Sequence, residues 1–145
     1  MSLKPLYLLD TNICTYLMKQ PPLQVAERFA RCRVGDVVIS AITAAELEYG
    51  VVASGDAEAA NREALHRFLL DVPVAPFDAR AACAYGPARW LSRERRRDAL
   101  DKLIAAYAMA LGVVLLTNNP SDFQAYPDLA IEKLGGDALS QFSWA

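Results

Sequence analysis

The chain has 145 residues, of which 54% are hydrophobic and 22% are charged, a size and balance typical of one globular domain and unlike a disordered segment. Its net charge of −2 differs from the strongly positive charge of most DNA-binding domains. We expect neither a signal peptide at the start nor a membrane span, because no apolar run approaches about 18 residues.

The cysteines and the histidine limit the kinds of site that the chain can build. Cys14, Cys32 and Cys83 are widely spaced and form no CxxC pair, which argues against a disulfide framework and against structural zinc. We therefore expect a reducing, cytoplasmic location. His66 is the single histidine, and we expect it on the outer face of a helix without a catalytic role.

The first half of the chain alternates between short apolar segments and helical segments. In chain order we predict a strand Tyr7–Asp10, a helix Thr11–Met18, a helix Leu23–Cys32, a turn at Gly35-Asp36, a strand Val37–Ser40, a helix Ile42–Ala53 and a helix Ala57–Leu70. The second strand is β-branched and apolar without interruption, which is typical of a strand buried on both faces.

The second half continues this alternation. We predict a strand Val72–Pro76, a long helix Ala79–Arg96 bent near Gly86-Pro87, a helix Leu100–Leu111 ended by Gly112, a strand Val113–Thr117, a loop Asn118–Pro127 and a weak strand Leu129–Leu134. The pattern predicts an α/β fold with a mostly parallel sheet of four to five strands flanked by helices. It also predicts a single domain over residues 1–145, with the structure of the tail 135–145 left open.

Polar residues follow the first and second predicted strands, at the edge where parallel sheets bind ligands. Asp10 ends the first strand and Thr11 and Asn12 follow it, although a helix needs only one N-cap residue. Glu46 lies on a helix face that is largely apolar, so we expect it to be partly buried and to need a partner or a cation. Alternatively, this helix face lies at a boundary, where Glu46 meets solvent or an arginine. Glu48 is a competing candidate for the buried acid.

Further acids stand near the fourth strand. Asp101 follows Asp98 at the spacing of a capping box, but it also shares a helix face with Ala105 and Ala108. The sequence leaves open which edge of the sheet the start of this helix meets. Asp122 lies in the loop TNNPSDF, whose residues are also ordinary turn formers.

If Asp10, Glu46 and Asp101 met, three carboxylates would repel one another and at least one pKa would rise. A hard divalent cation such as Mg²⁺ or Mn²⁺ would resolve this repulsion with oxygen ligands. Such a site can activate water for phosphodiester cleavage.

An arginine-rich segment, WLSRERRRD, precedes this helix and contains Arg93, Arg96 and Arg97. One interpretation is a solvated helix end, where cations suit the helix dipole. The other is a set of RNA phosphate contacts on an otherwise acidic protein.

Three blocks of the chain are LLDTNICTYL, ISAITAAELEYGV and DKLIAAYAMALGVVLLTNNPSDF. They resemble the conserved blocks of PIN-domain ribonucleases, and most closely those of the VapC-type toxins of bacterial type II toxin–antitoxin pairs. PFDARAACAYG, between the second and third blocks, is also similar to the family. The resemblance covers nearly the whole chain, in order and at similar spacing, whereas LLDTN alone would be a weak signal.

The resemblance implies that Asp10, Glu46 and Asp101 are the catalytic acids and the ligands of Mg²⁺ or Mn²⁺. Residues with a supporting role would be Thr11, Asn12, Thr117, Asn119 and Asp122. Asn119 stands where many relatives have Asp, so either Asp122 substitutes for it or the site works with three acids. Tyr107 replaces a usual His and Asp98 a frequent Gly, and we expect neither to be essential.

The resemblance also implies an endoribonuclease that cleaves single-stranded or loop RNA, with tRNA as one candidate substrate. It implies a homodimer and a small antitoxin protein that blocks the cleft, often with an arginine placed toward the acids.

Two other functions remain open at this stage. A phosphatase could use Asp10 as its nucleophile, although Asn12 occupies the place of the second aspartate in the usual Asp-x-Asp pair. A catalytically weak or silent module that binds RNA or protein is the second alternative, because Asn119 replaces an acid.

Overall fold

The computed structural model describes residues 5–19, 23, 27, 30–94 and 99–133. The helices and strands in these ranges are β1 Tyr7–Leu9, α1 Thr11–Lys19, β2 Val37–Ser40, α2 Ala41–Val52, α3 Glu58–Asp71, β3 Val74–Ala75, α4 Ala79–Leu91, α5 Ala99–Leu111, β4 Val114–Thr117 and β5 Ile131–Lys133. Short 3-10 turns lie at Gly55–Ala57 and Pro120–Phe123. None of the helices in the described ranges combines the length and the apolar character of a membrane span.

The strands form one sheet in the order β3-β2-β1-β4-β5, and every neighbouring pair is parallel. β1 is central, with Tyr7 opposite Val37 of β2 on one side and opposite Val114 of β4 on the other. The carboxyl ends of all five strands therefore meet at one edge. The predicted α/β fold with a parallel sheet is confirmed.

Helices cover both faces of the sheet, and successive side chains along each central strand pack against opposite helical layers. Tyr7, Leu9 and Leu116 belong to a buried cluster with residues of α1, α2 and α3. Leu8 and Leu115 belong to a second buried cluster with residues of α4 and α5. This explains why the central strands are apolar at every position.

α4 and α5 form an antiparallel pair beneath the second face. Nη2 of Arg80, at the start of α4, donates to the carbonyl of Ala110, at the end of α5, at 3.1 Å. Gly112 ends α5 with a φ of 68°, and Val113 N returns to the carbonyl of Ala108 at 3.3 Å, as in a Schellman motif. The predicted stop at Gly112 is confirmed.

Two predicted elements are shorter in the structure. The helix predicted to reach Arg96 ends at Leu91, where the hydroxyl of Ser92 donates to the carbonyl of Ala88 at 2.8 Å. Like charges in the arginine-rich segment would also weaken any continuation. β3 has only two residues, because a proline on either side of Val74–Ala75 has no N–H for the sheet.

The predicted loop Asn118–Pro127 contains the 3-10 turn Pro120–Phe123, which buries Phe123. The tail 135–145 and most of the predicted helix Leu23–Cys32 lie outside the described residues. Cys14, Cys32 and Cys83, which all lie in the described ranges, form no disulfide bond.

Candidate active site

The candidate site lies where the strand order changes direction at the centre of the sheet. From β1 the chain builds outward through β2 and β3, and it then crosses to β4 on the other side of β1. Asp10 follows β1 directly and is 5% exposed, while Thr117 ends β4 and is fully buried. The Thr117 hydroxyl donates to Oδ2 of Asp10. The two side chains thus join neighbouring strands at the switch point, where parallel sheets bind ligands.

Asp10 has a structural role as well as its place in the site. Its Oδ1 accepts a hydrogen bond from the backbone N–H of Ile13 at 2.9 Å, so the carboxylate caps α1 as its position predicted. Its own N–H donates to the carbonyl of Leu116 at 3.1 Å. A carboxylate has about four lone-pair sites, and the two donors to this one, the N–H of Ile13 and the hydroxyl of Thr117, leave acceptor capacity for a further ligand.

Glu46 reaches the same edge from α2. The hydroxyl of Thr11 donates to its Oε1 at 2.7 Å and also lies 3.3 Å from the hydroxyl of Thr43. Glu46 is half-buried, as expected. Glu48, the competing acid, is exposed and pairs with Arg62. The helix therefore presents Glu46, and not Glu48, to Thr11 at the start of α1.

Burial and neighbouring charges raise the pKa of Asp10 above its ordinary value. Burial is the largest cause, and the charges of Asp122 and Glu46 add to it, while the hydrogen bonds from Thr117 and Ile13 oppose it. The three acids are therefore close enough to interact. Their mutual repulsion favours a proton or a cation at Asp10.

The end of β4 favours Asp122 over Asn119 as the additional polar group. Asn119 is exposed, and its backbone N–H donates to the Thr117 hydroxyl at 3.0 Å. Asp122, in the 3-10 turn, acts on Asp10 more strongly than Glu46 does. Asp122, three residues after Asn119, is thus an acid beyond β4 whose charge reaches Asp10.

Asp101 lies half-buried in the first turn of α5. Its neighbour Leu100 lines a cavity of about 540 Å³ together with Ile42 and Glu46, which places the start of α5 near the carboxyl edge. The described ranges nevertheless contain no group of three His, Cys, Asp or Glu side chains close enough to hold a metal ion by direct contact. The structure thus brings Asp10, Glu46 and Asp122 within electrostatic reach and Asp101 to the same region.

Those of the remaining predicted residues that the structure describes are exposed. Asn12 is exposed on α1 and His66 is exposed on α3. Arg93 follows the end of α4, and Arg96 and Arg97 lie outside the described residues.

The structure also adds residues that the sequence did not single out. Thr43 is fully buried beside Thr11, and Lys102 is buried one residue after Asp101. A lysine within the apolar stretch LDKLIAA was the available signal for Lys102. Thr43 had none, because it is a common residue in the first turn of a helix.

Comparison with known proteins agrees with this geometry. The PIN domain family matches residues 7–129. The chain is 35% identical over 128 residues to a tRNA(fMet)-specific endonuclease VapC of Shigella flexneri, covering 87% of this chain and 96% of that protein. It is also 35% identical over 133 residues to ribonuclease VapC2 of Rickettsia felis, covering 88% of this chain and 96% of the relative.

Solved structures give the same result. The chain matches one from DNA-bound VapBC of Salmonella typhimurium with a TM-score of 0.81 and 31% identity, covering 89% of this chain and 98% of that chain. A chain of VapBC2 of Rickettsia felis, bound to a promoter DNA fragment, matches with a TM-score of 0.80 and 30% identity, covering 90% of this chain and 99% of that chain. The predicted resemblance is confirmed: the chain belongs to the PIN-domain family and, within it, to the VapC ribonucleases of toxin–antitoxin systems.

Proposed function

We propose that the chain is a metal-dependent endoribonuclease and the toxin of a toxin–antitoxin pair. It would hydrolyse RNA phosphodiester bonds with Asp10, Glu46 and Asp101 as catalytic acids. The observation that carries this proposal is Asp10 itself. It is a buried carboxylate with a raised pKa at the switch point of the sheet, in a chain whose relatives are named ribonuclease VapC.

The donor groups at the site suit Mg²⁺ or Mn²⁺. The side chains near Asp10 offer oxygen ligands, and a dication would offset the burial and the neighbouring negative charges that raise its pKa. Among the described residues, Oδ1 of Asn118 is a buried acceptor without a hydrogen-bond partner, one residue after Thr117. Magnesium usually keeps several waters and binds through one or two carboxylates, so the site does not require three direct acid ligands.

In this proposal Asp10, Glu46 and Asp101 hold the ion, and Asp122 takes the place of the acid missing at Asn119. When bound, the ion supplies activation of water and stabilisation of charge on the phosphate. Thr117 and Thr11 act as positioning residues. Their hydroxyls hold Asp10 and Glu46 in fixed orientations, which reduces the reorganisation needed when substrate binds.

The proposed partners are RNA and a cognate antitoxin. Solved structures of similar chains are VapBC complexes, which supports an antitoxin for this chain. Within the described residues, neither Asp10 nor Glu46 pairs with a cationic side chain, so an arginine of the antitoxin could neutralise them. The homodimer and a tRNA substrate stay predictions, which sedimentation and sequencing of cleavage ends would test.

The test compares RNA cleavage by the purified, antitoxin-free wild type with that by the Asp10→Asn variant, in Mn²⁺ and in excess EDTA. Asparagine is also a good N-cap residue, so α1 should persist, as circular dichroism would verify. We expect the variant to lose at least about 100-fold in rate, since metal-assisted charge stabilisation amounts to several kcal/mol. EDTA should abolish cleavage by the wild type.

Glu48→Gln on the exposed face of α2 is the matched control and should retain wild-type activity. Equal cleavage by Asp10→Asn and wild type would refute the site. If the wild type cleaved no RNA in Mn²⁺, the catalytically silent binding module would be the better interpretation.

A further inference from the structure

An exposed aromatic side chain and a cation form a pair at the end of α4, outside the acidic site. Trp90 is 65% exposed, although large indole rings are usually well buried. The guanidinium of Arg93 lies 4.1 Å from the centroid of the indole ring, well within cation–π range. Nη1 of Arg93 also donates to the Trp90 carbonyl at 2.9 Å. Two contacts thus hold the guanidinium against the ring, and we call this pair the Trp90–Arg93 platform.

Two exposed arginines, Arg89 and Arg93, lie close to Trp90 in sequence, and Glu94 follows them. Within the described part of the chain, Arg89 and Arg93 form no ion pair, whereas Arg62 and Arg67 on α3 each pair with a glutamate. A guanidinium has five N–H donors, and Arg93 uses one of them on the Trp90 carbonyl. Donors and positive charge are therefore available for an anion beside an exposed aromatic ring.

The platform lies toward the same edge of the fold as the acids. α4 and α5 are antiparallel, as the contact between Arg80 and Ala110 shows, so the end of α4 approaches the start of α5. Leu100, in the first turn of α5, borders the cavity that Glu46 also lines. One extended ligand could therefore contact both the platform and the acidic site.

We propose that the Trp90–Arg93 platform binds single-stranded RNA, with a nucleobase stacked on the indole ring and a phosphate paired with Arg93 or Arg89. The inference rests on the proposed ribonuclease function and extends it to substrate binding. Acids that repel one another at Asp10 also repel phosphate, so cations elsewhere must attract the RNA backbone. Aromatic rings stack with unpaired bases of any sequence, and the arginine adds charge at the point of stacking.

The experiment follows the fluorescence of Trp90 directly. The chain has two tryptophans, Trp90 and Trp144, so the Trp144→Phe variant reports on Trp90 alone. We expect a single-stranded RNA of about ten nucleotides, titrated in EDTA to prevent cleavage, to quench the emission to saturation. A duplex of the same sequence should quench it much less, because its bases are already stacked.

Variants that keep Trp144 test whether a loss of RNA binding comes from lost stacking or from a disturbed fold. Trp90→Ala should weaken RNA binding, measured by anisotropy of labelled RNA, by about tenfold or more, and Trp90→Phe should restore most of the affinity. In Mn²⁺ the KM of Trp90→Ala should rise by a similar factor with little change in kcat. Arg93→Ala should also weaken binding, whereas Arg67→Ala, which removes an exposed arginine of α3, should not.

The outcomes distinguish the platform from the ribonuclease function. RNA binding without a change in Trp90 emission, or equal affinity of Trp90→Ala and wild type, would overturn the platform even if cleavage is intact. Emission that responds to purified antitoxin and not to RNA would overturn it in favour of a protein-binding surface. Trp90-dependent RNA binding without any cleavage in Mn²⁺ would support the platform and refute the ribonuclease proposal.

Discussion

The carboxylates on the outer faces of α2 and α3 and those at the ends of the strands have different partners. Glu48 and Glu63 are exposed and pair with arginines. Asp10 and Glu46, in contrast, receive their side-chain hydrogen bonds from Thr117 and Thr11.

This difference in partners distinguishes surface acids, whose charge is paired, from inner acids, whose charge is left for a ligand. An exposed ion pair contributes at most about 1 kcal/mol to stability, so losing one changes little. Hydroxyl groups orient a carboxylate without cancelling its charge, so the inner acids keep a negative potential that can attract a cation. Groups held in such a repulsive arrangement are typical of functional sites.

The largest expected effect is the difference in cleavage rate between variants of the two glutamates of α2. Glu46→Gln should reduce the rate of RNA cleavage in Mn²⁺ at least about 100-fold, because it removes a charge from the proposed metal site. Glu48→Gln, two residues away, should leave the rate within about twofold. Similar losses in both variants would show that the partners of the two carboxylates do not separate their roles.

The sequence was sufficient to predict that Asp10 ends the first strand and that Glu46 is partly buried, but not how the two acids are held. Asp10 stood at the end of an apolar strand, and the spacing of Glu46 on α2 predicted its partial burial. Its hydroxyl partner could not be predicted, because Thr11 and Glu46 are far apart in sequence and meet only through the order of the strands. The contact between Thr117 and Asp10 likewise depends on β4 lying beside β1.

The next effect concerns the hydroxyl that orients Asp10. Thr117→Val keeps the shape of the side chain but removes its donor to Asp10, leaving a buried carboxylate oxygen with one partner fewer. We expect the free energy of unfolding to fall by about 1 to 3 kcal/mol, measured by urea denaturation at neutral pH. Thr15→Val is the control, since its hydroxyl bonds only to the carbonyl of Thr11 in the same helix, and its effect should be smaller.

The same substitution at Thr117 should also change the pKa of Asp10. Thr117→Val should raise this pKa further, because the hydrogen bond that favours the charged form is lost. An equal loss of stability in the Thr117 and Thr15 variants would contradict a special role for the Thr117 hydroxyl.

The smallest effect is on the pH dependence of stability. Because the pKa of Asp10 is higher in the folded state than its ordinary value of 3.8, the folded protein holds this proton more tightly than the unfolded chain. Stability contributed by this group is therefore present at low pH and is lost as the pH rises through the folded pKa. Without metal, the stability of Asp10→Asn relative to wild type should increase from about pH 4 to pH 7. A relative stability that falls over this range would contradict the raised pKa.

Other parts of the molecule lay beyond sequence reasoning for physical reasons. The end of the long helix at Leu91 depends on side-chain hydrogen bonds of Ser92 and Arg93 to the last carbonyls, which helical periodicity does not reveal. The position of Asp122 depends on the 3-10 turn Pro120–Phe123, where a plain loop was predicted. Both features depend on local packing, which leaves no repeated signal in the sequence. The sheet could be predicted because its pattern of apolar strands is repeated along the chain.

Binding of Mn²⁺ is the most direct test of the claim that the strand-end acids form a cation site. Calorimetric titration of Mn²⁺ into EDTA-treated, dialysed wild type, Asp10→Asn and Glu48→Gln would measure it without RNA. We predict that wild type and Glu48→Gln bind with the same Kd and that Asp10→Asn binds at least about 100-fold more weakly, since even residues behind the ligands change metal affinity by about 10- to 100-fold. Equal Mn²⁺ affinity of Asp10→Asn and wild type would contradict the account.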